Sequence, residues 1–310
     1  MTEKIRADLE ARLGARVLAV EPIPEGHSGF TYFVSTENGE YVLRLPPPNA
    51  RIAGTADVMR QGRIMAALHN AGLPAPAVPV ICDEPVVDGR PFILIDRVDG
   101  MRIEPTSERE KPMDIASSAV DVLKQLQALP LGKTGIGDEE PVGLQVEMMR
   151  WAMLMQRAPE ELTTRSGELG GRLAAQVPVE RAPTLVHGDY HYGNMLFRGS
   201  AVVAVLDWEI AEIGQPLLDL GCLCIVAIRR QYQGAPNPGG AISVSIDELF
   251  ELYGVDPAEM RWYAAMSLYK YASIFGYNLM LHRKGRRPDP MYEGLTSTIV
   301  GMIDEGISLL

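Results

Sequence analysis

Lysine is missing from the chain between Lys4 and Lys111, so no lysine in that stretch can serve as an internal cation. Cysteine is almost missing too. Cys82, Cys222 and Cys224 are an odd set with a C-L-C spacing, which excludes a disulfide framework and the C-x-x-C pattern of a structural metal site. Long apolar runs are absent: 216-PLLDLGCLCIVAI-228 is too short and interrupted to span a membrane. The opening MTEKIRADLEARLG is charged and carries no apolar h-region, so no signal peptide is expected. Positive charge is in deficit, with a formal net charge of −11 and a pI near 5.0. Nucleic acid and anionic membranes need clustered Lys and Arg, so neither is expected as a main partner. These features together predict a soluble protein in a reducing, cytoplasmic setting, and they leave the oligomeric state open.

What is present fits an ordinary globular chain of 310 residues, 46% hydrophobic and 22% charged, long enough for two lobes. Residues 3–13 read as a short helix. RVLAVEPI, TYFVST and YVLRL then read as strands, with a hairpin turn at Asn38-Gly39 and a stop at the triple proline 46–48. A helix is expected over about 55–70, where Gln61, Ile64, Met65 and Leu68 repeat at three and four. Two more strands, 79-PVIC-82 and 91-PFILIDRV-98, close this part. Beyond Gly100 the character inverts. Helices are expected at 112–129, 144–157, 160–176, 215–231, 258–282 and 291–308, with short strands only near 183–187, 194–198 and 201–207. The fold class is therefore α+β, a small β-rich N-lobe over residues 1–98 and a larger, mainly helical C-lobe over 99–310.

Several familiar motifs are lacking. The tempting 132-GKT-134 is not a P-loop, because the first glycine of that motif falls on Gln127. There is no H-E-x-x-H and no G-x-S-x-G. The distinctive stretch is 184-TLVHGDYHYGNMLF-197, followed by an apolar run ending in V-L-D-W-E. One chemical reading is a metal site of His187, Asp189 and His191, which would make a metal-dependent hydrolase, but histidine sites usually recruit more ligands at defined spacings. The other is phosphoryl transfer. Asp189 and Asn194 stand in H-x-D-x-x-x-x-N, the spacing of kinase catalytic loops, with Gly188 in place of Arg, and Asp207 follows at the metal-binding position. Such transfer needs a carboxylate to orient the acceptor hydroxyl and hard oxygen ligands for Mg²⁺. Asp189 supplies the first; Asn194 and Asp207 supply the second. His187 reads as a loop-fixing residue.

HGDYHYGNMLF, VLDWE and 216-PLLDLG-221 in this order resemble the aminoglycoside phosphotransferase family of small-molecule kinases, relatives of the protein-kinase fold, over roughly residues 15–300. RLPPP and RIMAAL resemble more closely the branch related to acyl-CoA-dehydrogenase-associated kinases. The resemblance implies a bilobal protein-kinase-like fold and an enzyme that uses ATP and Mg²⁺ to phosphorylate a hydroxyl of a small molecule. It places a phosphate-covering loop at 25–34 with Ser28 and Gly29, and a phosphate-clamping cation at Arg44, where kinases normally carry lysine. Gln61 stands where the helix glutamate that pairs with this cation is expected, and Asp57 is its possible substitute. The adenine base is expected at the carbonyl of Asp96 and the amide of Val98, over an apolar floor of Leu196 and Leu206. Asp219 matches a position that braces the catalytic loop, or is simply an acid at a helix N-terminus. The departures at Arg44 and Gln61 motivate an alternative, a nucleotide-binding protein without transfer activity.

Overall fold

The computed structural model describes residues 2–23, 30–49, 51, 53–103, 111–229 and 242–310. Alternation decides the first half. In β2 (Phe30–Thr36) Tyr32, Val34 and Thr36 are buried, and in β3 (Gly39–Leu45) Leu43 and Leu45 are, so each strand turns one face inward. The two pair as the hairpin expected at Asn38-Gly39. With β1 (Val17–Pro22), β4 (Val80–Val87) and β5 (Arg90–Asp96) they form a five-stranded antiparallel sheet ordered β1-β2-β3-β5-β4. β5 is buried on both faces. Phe92 and Leu94 join Ile5 and Leu9 of α1 (Thr2–Leu13), while Ile93 and Ile95 join Ile64, Met65 and Leu68 of α2 (Val58–Asn70).

α2 starts later than its periodicity suggests because Asp57 caps it, accepting the Arg60 amide at 2.9 Å. Gly62 lets the helix approach the sheet: a Cβ there would lie 2.9 Å from the Ile93 Cγ2. The residues that α2 buries belong to the same apolar cluster as the second lobe, so the helix bridges the two. Arg60 fixes that bridge, donating to both carboxylate oxygens of Glu139 at 2.6 and 2.5 Å and to the Ala211 carbonyl at 2.8 Å.

The second lobe is built on α8 (Pro257–Arg283), which packs against α4 (Leu144–Met155), α6 (Leu217–Arg229) and α9 (Thr296–Leu309). Its run from Met260 to Ser273 is buried almost without interruption, the mark of a helix enclosed on all sides. α3 (Pro112–Ala128) matches its expected span. α5 (Ser166–Ala175) is shorter than expected, because residues 160–162 form a separate 3₁₀ turn after Pro159. The last helix likewise begins at Thr296, after a 3₁₀ stretch over 290–295.

Two elements lie outside the sequence expectation. α7 (Ile246–Tyr253) carries a full capping box between Ser245 and Glu248 and ends on Gly254 at φ 78°. β9 (Glu212–Gly214) pairs with β6 (Thr184–Val186), and β7 (Met195–Arg198) pairs with β8 (Ala201–Val205). The segment after β5 docks on that second hairpin through reciprocal bonds between Met101 and Phe197, each 2.9 Å.

Truncating Arg60 to alanine removes a bidentate charged pair and strands the Glu139 carboxylate. The expected loss is about 1.5–3 kcal/mol, read from urea unfolding, and Glu139→Gln should give a smaller loss.

Candidate active site

The loop between β6 and β7 is held from beneath by one buried carboxylate. Asp219, in the first turn of α6, accepts the amide of His187 at 2.7 Å and that of Gly188 at 2.9 Å. Of the two readings the sequence allowed for Asp219, the geometry therefore selects loop bracing. Gly188 sits at φ 82°, and a Cβ there would lie 2.7 Å from the Ile210 carbonyl. Glycine is required at this point, where protein kinases carry arginine. His187 is buried and neutral, its pKa driven down by desolvation. Nδ1 accepts the Asp189 amide at 3.1 Å, so Nε2 carries the proton and donates to the Leu206 carbonyl at 2.8 Å. Both ring nitrogens are thus engaged, and His187 has none left for a metal. Among the described residues no cluster of three His, Cys, Asp or Glu side chains could hold a metal ion. The histidine-centred hydrolase loses its geometric basis.

Asp189 projects from this loop with its side chain 28% exposed. Its Oδ2 accepts Asn194 Nδ2 at 2.9 Å and lies 3.4 Å from His191 Nε2; its Oδ1 accepts the Tyr271 hydroxyl. Burial alone would raise its pKa, but His191, Tyr271 and Lys270 outweigh that and hold it well below the usual carboxylate range. It is a carboxylate at neutral pH. Because the Asn194 amide nitrogen also donates to the Asp189 carbonyl at 3.0 Å, both its protons are engaged within the loop and its side-chain carbonyl oxygen faces elsewhere as an acceptor. Asp207 follows β8 at φ 65°, an uncommon conformation for a non-glycine residue. Its neighbour Trp208 is fully buried, its ring tilted against that of His187 with centroids 4.5 Å apart, and anchored by its indole NH on the Val205 carbonyl at 3.0 Å. One Asp207 oxygen is buried without a hydrogen-bond partner, and Arg44 Nη2 stands 3.5 Å from it.

Arg44 therefore reaches the cleft from β3, and the carboxylate it meets belongs to Asp207 and not to α2. Asp57, considered as a substitute partner, is occupied as the α2 cap. Gln61 is buried within α2. Asp96 ends β5, its amide bonded to the Ala77 carbonyl at 2.9 Å, and the Val98 amide has no backbone acceptor among the described residues. Leu196 and Leu206 are half-buried, with Gly100 so close that a Cβ would fall 2.9 Å from that of Leu196. Ser28 and Gly29 lie outside the described residues.

Sequence reasoning missed the contribution of α8. Lys270 is buried, donates to the Gly188 carbonyl and lies 4.9 Å from the Trp151 ring centroid. Burial alone would lower its pKa; Cys222, Glu147, Asp189 and Asp219 around it reverse the direction, so it stays protonated. Nothing local marks Lys270 or Tyr271, which lie in an otherwise apolar helix 82 residues beyond the groups they touch. Nearby, Arg150 joins Glu147 and Glu212, each at 2.8 Å.

Burial pushes the Asp219 carboxyl up to about 7, against the amides that favour its ionised form. The unfolded chain, with a value near 3.8, releases this proton first as pH rises. Its contribution to stability is therefore complete below that value and is lost as pH climbs through about 7. Asp219→Asn, a neutral near-isostere, should flatten this limb. Urea midpoints of both proteins between pH 4.5 and 8 check it.

Comparison with known proteins bears on the fold and the family. Mouse "Acyl-CoA dehydrogenase family member 10" is 26% identical over 269 residues; the match covers 80% of this chain but 25% of that protein, so the chain spans about a quarter of its relative's length. A candidate aminoglycoside phosphotransferase from Ralstonia eutropha JMP134 superposes with a TM-score of 0.80 at 22% identity, covering 98% of this chain and 97% of that one. Aminoglycoside phosphotransferase APH(4)-Ia, solved as a ternary complex with ADP and hygromycin B, gives 0.69 at 16% identity, covering 99% and 98%. The protein-kinase-like fold is thus shared over nearly the whole chain. The model of the phosphotransferase enzyme family matches residues 19–263, and the chain belongs to that family.

Proposed function

We propose that the protein is a small-molecule kinase that uses ATP and Mg²⁺ to phosphorylate a hydroxyl group. The observations that carry this reading are two contacts in adjoining segments, Asn194 with Asp189 and Arg44 with Asp207, tied together where the Leu206 amide donates to the Asn194 carbonyl at 2.8 Å, with a buried Asp207 oxygen left without a hydrogen-bond donor. A carboxylate and an amide oxygen suit Mg²⁺, which takes few protein ligands and completes its shell with water and phosphates. Bound by Asp207 and Asn194, it would supply charge neutralisation at the transferring phosphoryl group.

The chain's own residues do the rest. Asp189 orients the acceptor hydroxyl and accepts its proton as the new O–P bond forms, the bond to the β-phosphate oxygen breaks and ADP leaves. Arg44 swings from Asp207 to the phosphates, which a guanidinium can hold bidentately. The Asp96 carbonyl and Val98 amide take the edge of the base, and Leu196 and Leu206 lie beneath it. On this reading residues 1–98 hold the nucleotide, and residues 99–310 carry the catalytic loop and the acceptor pocket. The acceptor is a small molecule, with neither nucleic acid nor membrane as partner. Among the described residues no helix is long and apolar enough to cross a membrane. The three thiols are buried and free, which suits a reducing, cytoplasmic compartment.

Thermal unfolding with ATP and Mg²⁺, against ATP and EDTA, tests the assignment. At about a hundred times its dissociation constant the nucleotide should add roughly 2.7 kcal/mol. Asp207→Ala should abolish the Mg²⁺-dependent part. Asp189→Asn should keep it while ADP release with hydroxyl acceptors (amino alcohols, sugars, aminocyclitols, hydroxyacyl thioesters) falls by about 10²-fold or more. A folded protein with no shift at saturating ATP would overturn the reading. A full shift with no turnover of any acceptor would favour a nucleotide-binding protein without transfer activity.

A further inference from the structure

Two consecutive residues of α8 reach the catalytic loop. Lys270 donates to the Gly188 carbonyl, part of the peptide that leads into Asp189, and the Cys222 thiol lies 3.4 Å from the same oxygen. Tyr271 donates its hydroxyl to Oδ1 of Asp189. Packing alone does not call for that hydroxyl. The Tyr271 ring sits 6.1 Å from the ring of Phe275, an environment that phenylalanine would fill equally well. The hydroxyl is buried, and a buried hydroxyl is costly unless bonded; its partner here is the Asp189 carboxylate.

The arrangement restrains one torsion in particular. A carboxylate held at a single oxygen can still turn about its Cβ–Cγ bond. Asp189 is held at both: Oδ2 by Asn194 and His191 from its own loop, Oδ1 by Tyr271 from a distant helix. Asn194 alone would fix one edge of the group and leave the other free.

We propose that Tyr271 is a positioning residue for phosphoryl transfer, pinning the second oxygen of Asp189 so that the carboxylate presents its remaining lone pairs to the acceptor hydroxyl in one orientation. This rests on the kinase reading of Asp189. Lys270 acts with it by fixing the preceding peptide. Tyr271 gives no group to the nucleotide, so its loss is felt in turnover and not in ATP binding. Fixing such a group in register is a large part of what an enzyme contributes, and partial loss of orientation costs one or two orders of magnitude.

The test compares wild type, Tyr271→Phe, Asp189→Asn and the double variant. With an acceptor from the panel, Tyr271→Phe should lower kcat by about 10- to 100-fold and leave KM for ATP and the Mg²⁺–ATP thermal shift at wild-type size. Added to Asp189→Asn it should lower kcat no further. A folded Tyr271→Phe protein with kcat within about two-fold of wild type, or a full additional loss in the double variant, overturns the proposal. An equal loss of ATP binding overturns it too, because it would assign Tyr271 a general structural role. Should the wild-type protein turn over no acceptor, the kinase reading fails on its own. The same four proteins then decide by urea unfolding: strictly additive shifts mean that the two side chains are not coupled and sink the proposal, whereas non-additive shifts support the pinning contact.

Discussion

The catalytic loop stands on the carboxylate of Asp219. A buried acid without partners is among the most costly features a fold can carry. This one is offset by the amides of two consecutive residues, His187 and Gly188. Those two bonds set the path of the chain at the point where a side chain would collide with Ile210, which is why glycine occupies position 188. Once the loop takes that path, His187 is turned inward against Trp208 and bonds the Leu206 carbonyl, tying the loop to the segment after β8 that leads into Asp207. The groups that would touch substrate are thereby placed by groups that do not.

Electrostatic balance extends this arrangement outward. Lys270 is enclosed with Cys222, Glu147, Asp189 and Asp219 near it, and Arg150 sits between Glu147 and Glu212. Each of these buried charges has an opposite within reach, so the helical lobe can carry acids close to this loop. On the sheet side the same logic operates with fewer partners. No lysine lies between Lys4 and Lys111 and α2 offers no glutamate, so Arg44 takes its counter-charge from Asp207, and Arg60 fixes the first turn of α2 through Glu139.

Much of the fold was legible because its signals are local. The strand alternation around Asn38-Gly39, the periodic face of α2 and the span of α3 depend on neighbouring residues, and the structure follows them closely. The proposed reacting groups could be picked out for a related reason: Asp189, Asn194 and Asp207 lie within one short segment of the sequence. Where the reading failed, the determinants were either too short or too distant. β9 has three residues and exists only because β6 lies beside it. α7 carried a capping box and a terminal glycine that could have been found. Lys270 and Tyr271 left no trace, since a lysine in an apolar helix gives no sign of the carbonyl it will meet 82 residues away. The pairing of Arg44 with Asp207 was equally hidden, because it joins two elements across the cleft.

That pairing, 3.5 Å between a guanidinium nitrogen and a carboxylate oxygen, sets opposite charges against each other between β3 and the segment after β8. Filling the proposed site is then an exchange of partners and not a simple addition. An incoming polyphosphate that draws away the cation leaves an acid uncompensated in a partly enclosed space, unless a second positive charge arrives with it. On the proposed reading, affinity for the anion and affinity for the divalent ion would be linked through this contact, each raising the other by the same factor. On that proposal, the site would discriminate between complexed and bare nucleotide before any bond is made or broken.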